Sequence, residues 1–199
     1  MRKTIRCLAA VTMAVIIFAV PACALPEGGQ TDAFPAIRQM EIELEGMTEY
    51  IEVTQYIHEG SFSAWYDAAF FSPVPADNGI EFELIENKLS EEVSFSILDI
   101  SEPDRAKRPG LDEYINEYER QGYIIEAVDG TGMFPLLSHE EGTVQAFKAS
   151  KGTALARVYL ISAPRGEYLC TLLYPLEAAE GWGARMHQML NTLEYLPAQ

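Results

Sequence analysis

Three features of the sequence predict an α+β domain, in which two helices flank an antiparallel meander of about six to eight strands. Apolar and polar residues alternate with period two over much of the chain. Short polar turns such as Ser150-Lys151-Gly152-Thr153 join the later runs, and connections this short require antiparallel neighbours. Helical spacing occurs in two segments, one starting at Leu111 and the other at Trp182.

The chain opens on an export signal, residues 1–22. Arg2, Lys3 and Arg6 form a positive start, and Leu8 to Val20 is a 13-residue run with only Thr12 polar. A bilayer span needs about 20 apolar residues, so this run is too short to be one. Val20-Pro21-Ala22-Cys23 follows and resembles the bacterial lipobox. That resemblance implies cleavage before Cys23, a diacylglycerol on its sulfur, and attachment to the membrane through that lipid. Ala22-Cys23-Ala24 also satisfies the small-x-small rule of ordinary signal cleavage, which would release the chain. Residues 23–37, rich in Pro and Gly, read as a flexible tether. Residues 38–199 read as a single domain, within the usual size range.

Strands fill the first half of that domain. Met40, Ile42 and Leu44 alternate with glutamates. Ile51, Val53 and Ile57 repeat the pattern after a turn near Gly46. Phe62, Ala64 and Tyr66 give a third strand, Phe82 and Leu84 a fourth, and Val93, Phe95 and Ile97 a fifth. A helix follows. Leu111, Tyr114, Ile115 and Tyr118 share one face, Asp112 and Glu113 suit the dipole of the first turn, and Gly122 ends it. Runs at Tyr123–Val128, Thr143–Ala149, Ala154–Ile161 and Tyr168–Tyr174 form the meander. Trp182, Met186, Met189, Leu190 and Leu193 then predict a C-terminal helix lying across the sheet, bracketed by Pro175 and Pro197.

The charge excludes some functions. The chain has 14 Lys+Arg against 30 Asp+Glu, a net charge of −16. Removing Arg2, Lys3 and Arg6 with the leader takes it to −19. Such a surface repels phosphate backbones, so no nucleic-acid partner is expected. If Cys7 leaves with the leader and Cys23 is lipidated, Cys170 is left in the mature chain without a disulfide partner. It sits in an apolar run with no electropositive neighbour in sequence, and reads as a buried hydrophobe.

Glu45-Gly46-Met47, Glu49 and Tyr174-Pro175-Leu176-Glu177-Ala178-Ala179-Glu180-Gly181, followed by Arg185, Met189 and Thr192-Leu193, form a recurring pattern. It resembles that of small lipoproteins of anaerobic Gram-positive bacteria that carry no assigned activity. The layout also resembles the PsbP-like fold, an antiparallel sheet flanked by helices. The resemblance covers most of 40–196. It implies a fold and a location, brings no catalytic residues, and tilts the expectation towards interaction roles.

The motifs of site chemistry are sparse. His58, His139 and His187 lack the spacing of a zinc site. Ser138-His139-Glu140-Glu141 reads as a solvated loop. Asp99, Glu102 and Asp104, like Asp77 and Asn78, do not match an EF-hand loop, so no metal is expected. There is no G-x-S-x-G elbow and no S-x-x-K. Gly130-Thr131-Gly132 leads into Met133-Phe134-Pro135 rather than Lys and a helix, so no nucleotide and no other cofactor is expected.

Five residues remain as a possible binding surface: Trp65, Tyr66, Glu177, Glu180 and Arg185. Trp65 falls on the strand face opposite Phe62, Ala64 and Tyr66. It is either an exposed anchor or, the favoured reading, covered by a helix. Glu177 and Glu180 suit a helix start, and Arg185 can pair with a nearby carboxylate. The expected function is a lipid-anchored, non-enzymatic domain that binds or scaffolds an envelope protein partner. The alternatives are an accessory protein binding a small ligand or cation, and an enzyme with dispersed residues.

Overall fold

The computed structural model describes residues 36–196 apart from 45, 59–60, 87–91, 102–108, 131–132, 135–141 and 164–165. The leader, Cys23 and the tether up to residue 35 lie outside the described residues. The described residues belong to one compact unit, Phe34–Gln199.

β1 (Ile37–Leu44) and β2 (Met47–His58) form a long hairpin, turned at Gly46, whose φ of +76° a side chain would strain. β3 (Phe62–Tyr66) pairs with β2, and the short β11 (Glu194–Tyr195) pairs with β3. These make a four-stranded antiparallel sheet in the order β1-β2-β3-β11. The second sheet contains β4 (Phe71–Ala76), β5 (Gly79–Leu84), β6 (Ser94–Asp99), β7 (Ile124–Val128), β8 (Thr143–Lys151), β9 (Ala154–Ala163) and β10 (Gly166–Pro175). Its order is β4-β5-β6-β10-β9-β8-β7, again antiparallel throughout.

The expected α+β, PsbP-like layout of one sheet flanked by two helices is therefore wrong. Of the described residues 59% are in strands, arranged as two sheets with two α-helices. The physical reason lies in what the helices cover. α1 (Leu111–Arg120) has the predicted span, but none of its residues is fully buried. It packs beside β7 and β8, where Leu111, Tyr114, Ile115 and Tyr118 lie over Phe147, Ala149, Ala156 and Val158. The C-terminal helical stripe does not form one continuous α-helix. It breaks into a 3-10 turn (Leu176–Ala178), a π-turn (Ala179–Gly183) and the seven-residue α2 (Ala184–Leu190). Gly181 and Gly183, poor helix formers, fall within the irregular part.

The small sheet shares the cover of the large sheet with α2. Phe62 and Tyr66 of β3 join Phe82 and Phe95 of the large sheet, with Tyr66 and Phe82 rings 4.9 Å apart and Phe82 and Phe95 stacked at 4.4 Å. Met186, Met189 and Leu190 of α2, together with Leu193, complete the same core. β4 escaped the sequence reading because Pro73 and Pro75 argue against a strand. It is an edge strand paired only with β5, where a missing N–H leaves no ladder bond unmade.

Candidate functional site

A concave region lined by polar groups forms where β9 and β10 meet the start of α2. Period-two alternation puts Arg157 and Tyr159 on one face of β9, and β10 delivers Tyr174 at its end. Gly183 then lets the chain pass close over that tyrosine: a Cβ there would stand 2.9 Å from Tyr174 Cζ and 3.2 Å from its hydroxyl. One helical turn on, His187 Nδ1 lies 2.7 Å from the Gly183 carbonyl, and its Nε2 lies 2.6 Å from the Tyr159 hydroxyl.

These contacts set the chemical state of each group. Burial is the main influence on His187 and lowers its pKa to about 4; the positive Arg157 adds to this and the Gly183 carbonyl opposes it. The imidazole is thus neutral near pH 7. Nδ1–H donates to the carbonyl, which leaves Nε2 to accept from Tyr159. Burial also raises the pKa of Tyr159 and Tyr174, so both phenols keep their protons. The Arg157 guanidinium lies within hydrogen-bonding reach of both hydroxyls. Its Nε–H is buried and has no hydrogen-bond partner among the described residues. Around these groups is a cleft of about 380 Å³, its remaining lining drawn from Val128, Asp129, Met133, Ala179 and Ala184. The π-turn Ala179–Gly183 forms part of one wall, an irregularity common at functional sites.

The residues expected from sequence lie elsewhere. Arg185 is buried, with Nη1 2.7 Å from Asp67 Oδ2 and Nη2 3.5 Å from Glu49. Its guanidinium lies 5.1 Å from the Phe70 ring centre and 5.8 Å from that of Trp182. Beside it, Phe70, Ile85 and Trp182 line a hollow of about 300 Å³. Tyr66 points into the core. Trp65 lies on the other face of β3, half-buried, its ring covered by the Arg38 guanidinium at 4.1 Å. Its backbone N–H donates to Thr192 Oγ1 at 2.7 Å. Glu177 and Glu180 are exposed. The five residues therefore do not form one surface, because Tyr66 and Trp65 face opposite ways.

Cys170 is fully buried, and burial pushes its thiol far above the ordinary range. Asp99 accepts from Ser61 Oγ at 2.6 Å and from the Ser101 N–H at 2.9 Å. Ser138-His139-Glu140-Glu141, Glu102 and Asp104 lie outside the described residues. Among the described residues, no three His, Cys, Asp or Glu side chains group as metal ligands.

Sequence reasoning missed Arg157, Tyr159, Tyr174 and His187 as a group. One signal was present: Arg157 is the only charged residue in Ala154–Ala163, an otherwise largely apolar strand. A charge in such a strand needs a structural or functional reason. No known protein family and no curated protein matches the chain.

Proposed function

We propose that this chain is a non-enzymatic binding domain, tethered to the outer face of the cell membrane by a lipid on Cys23, that holds an envelope ligand or partner without transforming it. The observation that carries the binding reading is the chemical state of the cleft. A general base works best when its pKa lies near the working pH. His187, at about 4, is too weak a base for that role near neutrality, and its Nε2 is engaged by Tyr159. The phenols and Arg157 hold their protons. Such a set of groups suits fixed hydrogen bonding and recognition.

The location rests on the order of the N-terminal segments. A basic and apolar leader, the lipobox-like Val20–Cys23 and a Pro/Gly-rich stretch precede the first strand at Ile37. The test is the mass of the N-terminal peptide recovered from the host's membrane fraction. The expected result is a peptide that begins at Cys23 and carries a diacylglycerol. An unmodified terminus at Ala24 or Leu25, found in the medium, would overturn the anchor.

A further inference from the structure

We propose that the cleft between β9, β10 and α2 binds a small organic monocarboxylate, with the carboxylate held by Arg157 and the apolar body lying on Val128, Met133 and Ala179. This deepens the reading of the chain as a binding domain and does not depend on the anchor.

Arg157 is half-buried in the middle of an apolar strand, and desolvating even part of a guanidinium is costly unless something answers its charge. The hydroxyls of Tyr159 and Tyr174 give it polar company, and Glu126, the carboxylate that feels its charge, is already engaged by Lys148. The Arg157 Nε–H is buried without an acceptor among the described residues, and an unmet buried donor is destabilising. A carboxylate supplies what is lacking. Two oxygens match the fork formed by Nε and a terminal nitrogen, and bring the opposite charge. Because the Nε–H is buried, the guanidinium has to turn towards the cleft to present it, exchanging contacts with the two hydroxyls for the carboxylate.

The rest of the lining narrows the ligand. Val128, Met133 and Ala179 are half-buried hydrophobic side chains packed on the main core, so the body of the ligand meets apolar surface. Asp129 also lines the cleft, and its carboxylate repels anions, a dianion about twice as strongly as a monoanion. His187 is neutral and tied to Tyr159, so it adds no second positive charge. The volume of about 380 Å³ fits the small-ligand range.

The test uses the full-length chain in detergent, titrated calorimetrically with benzoate, with benzamide as its neutral analogue, and with inorganic phosphate. Benzoate is expected to bind at least about tenfold more tightly than benzamide, since the charge-assisted fork is lost with the amide. In protein labelled with ¹⁵N-arginine, the Arg157 Nε–H resonance is expected to shift with benzoate in step with the heat. Arg157→Gln is expected to abolish the preference for benzoate. The resonance in the unaltered chain decides the matter even if that variant does not fold. Equal binding of benzoate and benzamide, no benzoate binding, or benzoate binding with an unmoved Arg157 resonance would each overturn the site. Tighter binding of phosphate than of benzoate would overturn the monocarboxylate assignment. A lipidated chain indifferent to benzoate would leave the anchor standing, and an unlipidated chain that binds it would leave the site standing.

Discussion

Asp67 and Arg185 are both buried, and each answers the other's charge at 2.7 Å. Asp67 also accepts the Ala69 N–H at 3.1 Å, so it shapes the turn into β4 as well as pairing with α2. Removing one member of such a pair strands the other charge in the interior. Arg185→Met is expected to destabilise the fold by about 3–5 kcal/mol in urea unfolding, and the double variant Arg185→Met/Asp67→Leu to recover part of that loss. His187 gives a second expectation. Its pKa is lowered in the folded chain, so the unfolded chain takes up the proton first as pH falls. The stability it contributes is complete above pH 6.5 and is lost as pH falls from 6.5 to about 4. His187→Gln should flatten that part of the stability profile relative to the parent chain, as read by thermal melts at each pH. An ion pair for Arg185 was expected from the sequence, but its partner Asp67 and a role for His187 were not legible there. Asp67 lies 118 positions from Arg185, and Tyr159 lies 28 from His187, so only folding brings the partners together.

At the scale of elements, local pattern identified most of the strands and the span of α1. It failed where the chain departs from repeating geometry. Pro73 and Pro75 hid β4, and the two-residue β11 is too short to show any period. The C-terminal apolar stripe was visible, but the break into 3-10, π and α segments was not. Gly79 shows how tightly β5 is seated: a Cβ there would stand 2.1 Å from the Ile97 carbonyl oxygen, which is backbone and cannot swing aside. Gly79→Ala is expected to cost about 1–3 kcal/mol or more, measured as a fall in the unfolding midpoint. α1 should be the weakest of the longer elements, since none of its residues is fully buried and its neighbours lie at one end of the large sheet. Its amides are expected to exchange with deuterium well before those of β9 and β10, which lie inside that sheet. Equal protection in α1 and β9 would contradict this.

At the scale of the whole molecule, the excess of acid governs behaviour in solution. With 30 acidic residues against 14 basic ones, folding gathers like charges, and the compact state repels itself. Raising sodium chloride from low to physiological concentration should therefore raise the melting temperature as the repulsion is screened. A melting temperature that falls with salt would mean that attractive pairs such as Lys148–Glu126 and Arg120–Glu117 dominate instead. Sequence alone determined the charge, the lipobox-like leader, the period of most strands and the apolar face of α1. These depend on composition and on neighbours a few residues apart. Only the tertiary structure decided that the strands divide into two sheets, that the small sheet covers the core together with α2, and that Arg157, Tyr159, Tyr174 and His187 share one cleft. Pairing between distant strands is set by the packing of whole faces against one another, and a local pattern of apolar and polar residues does not name its partner.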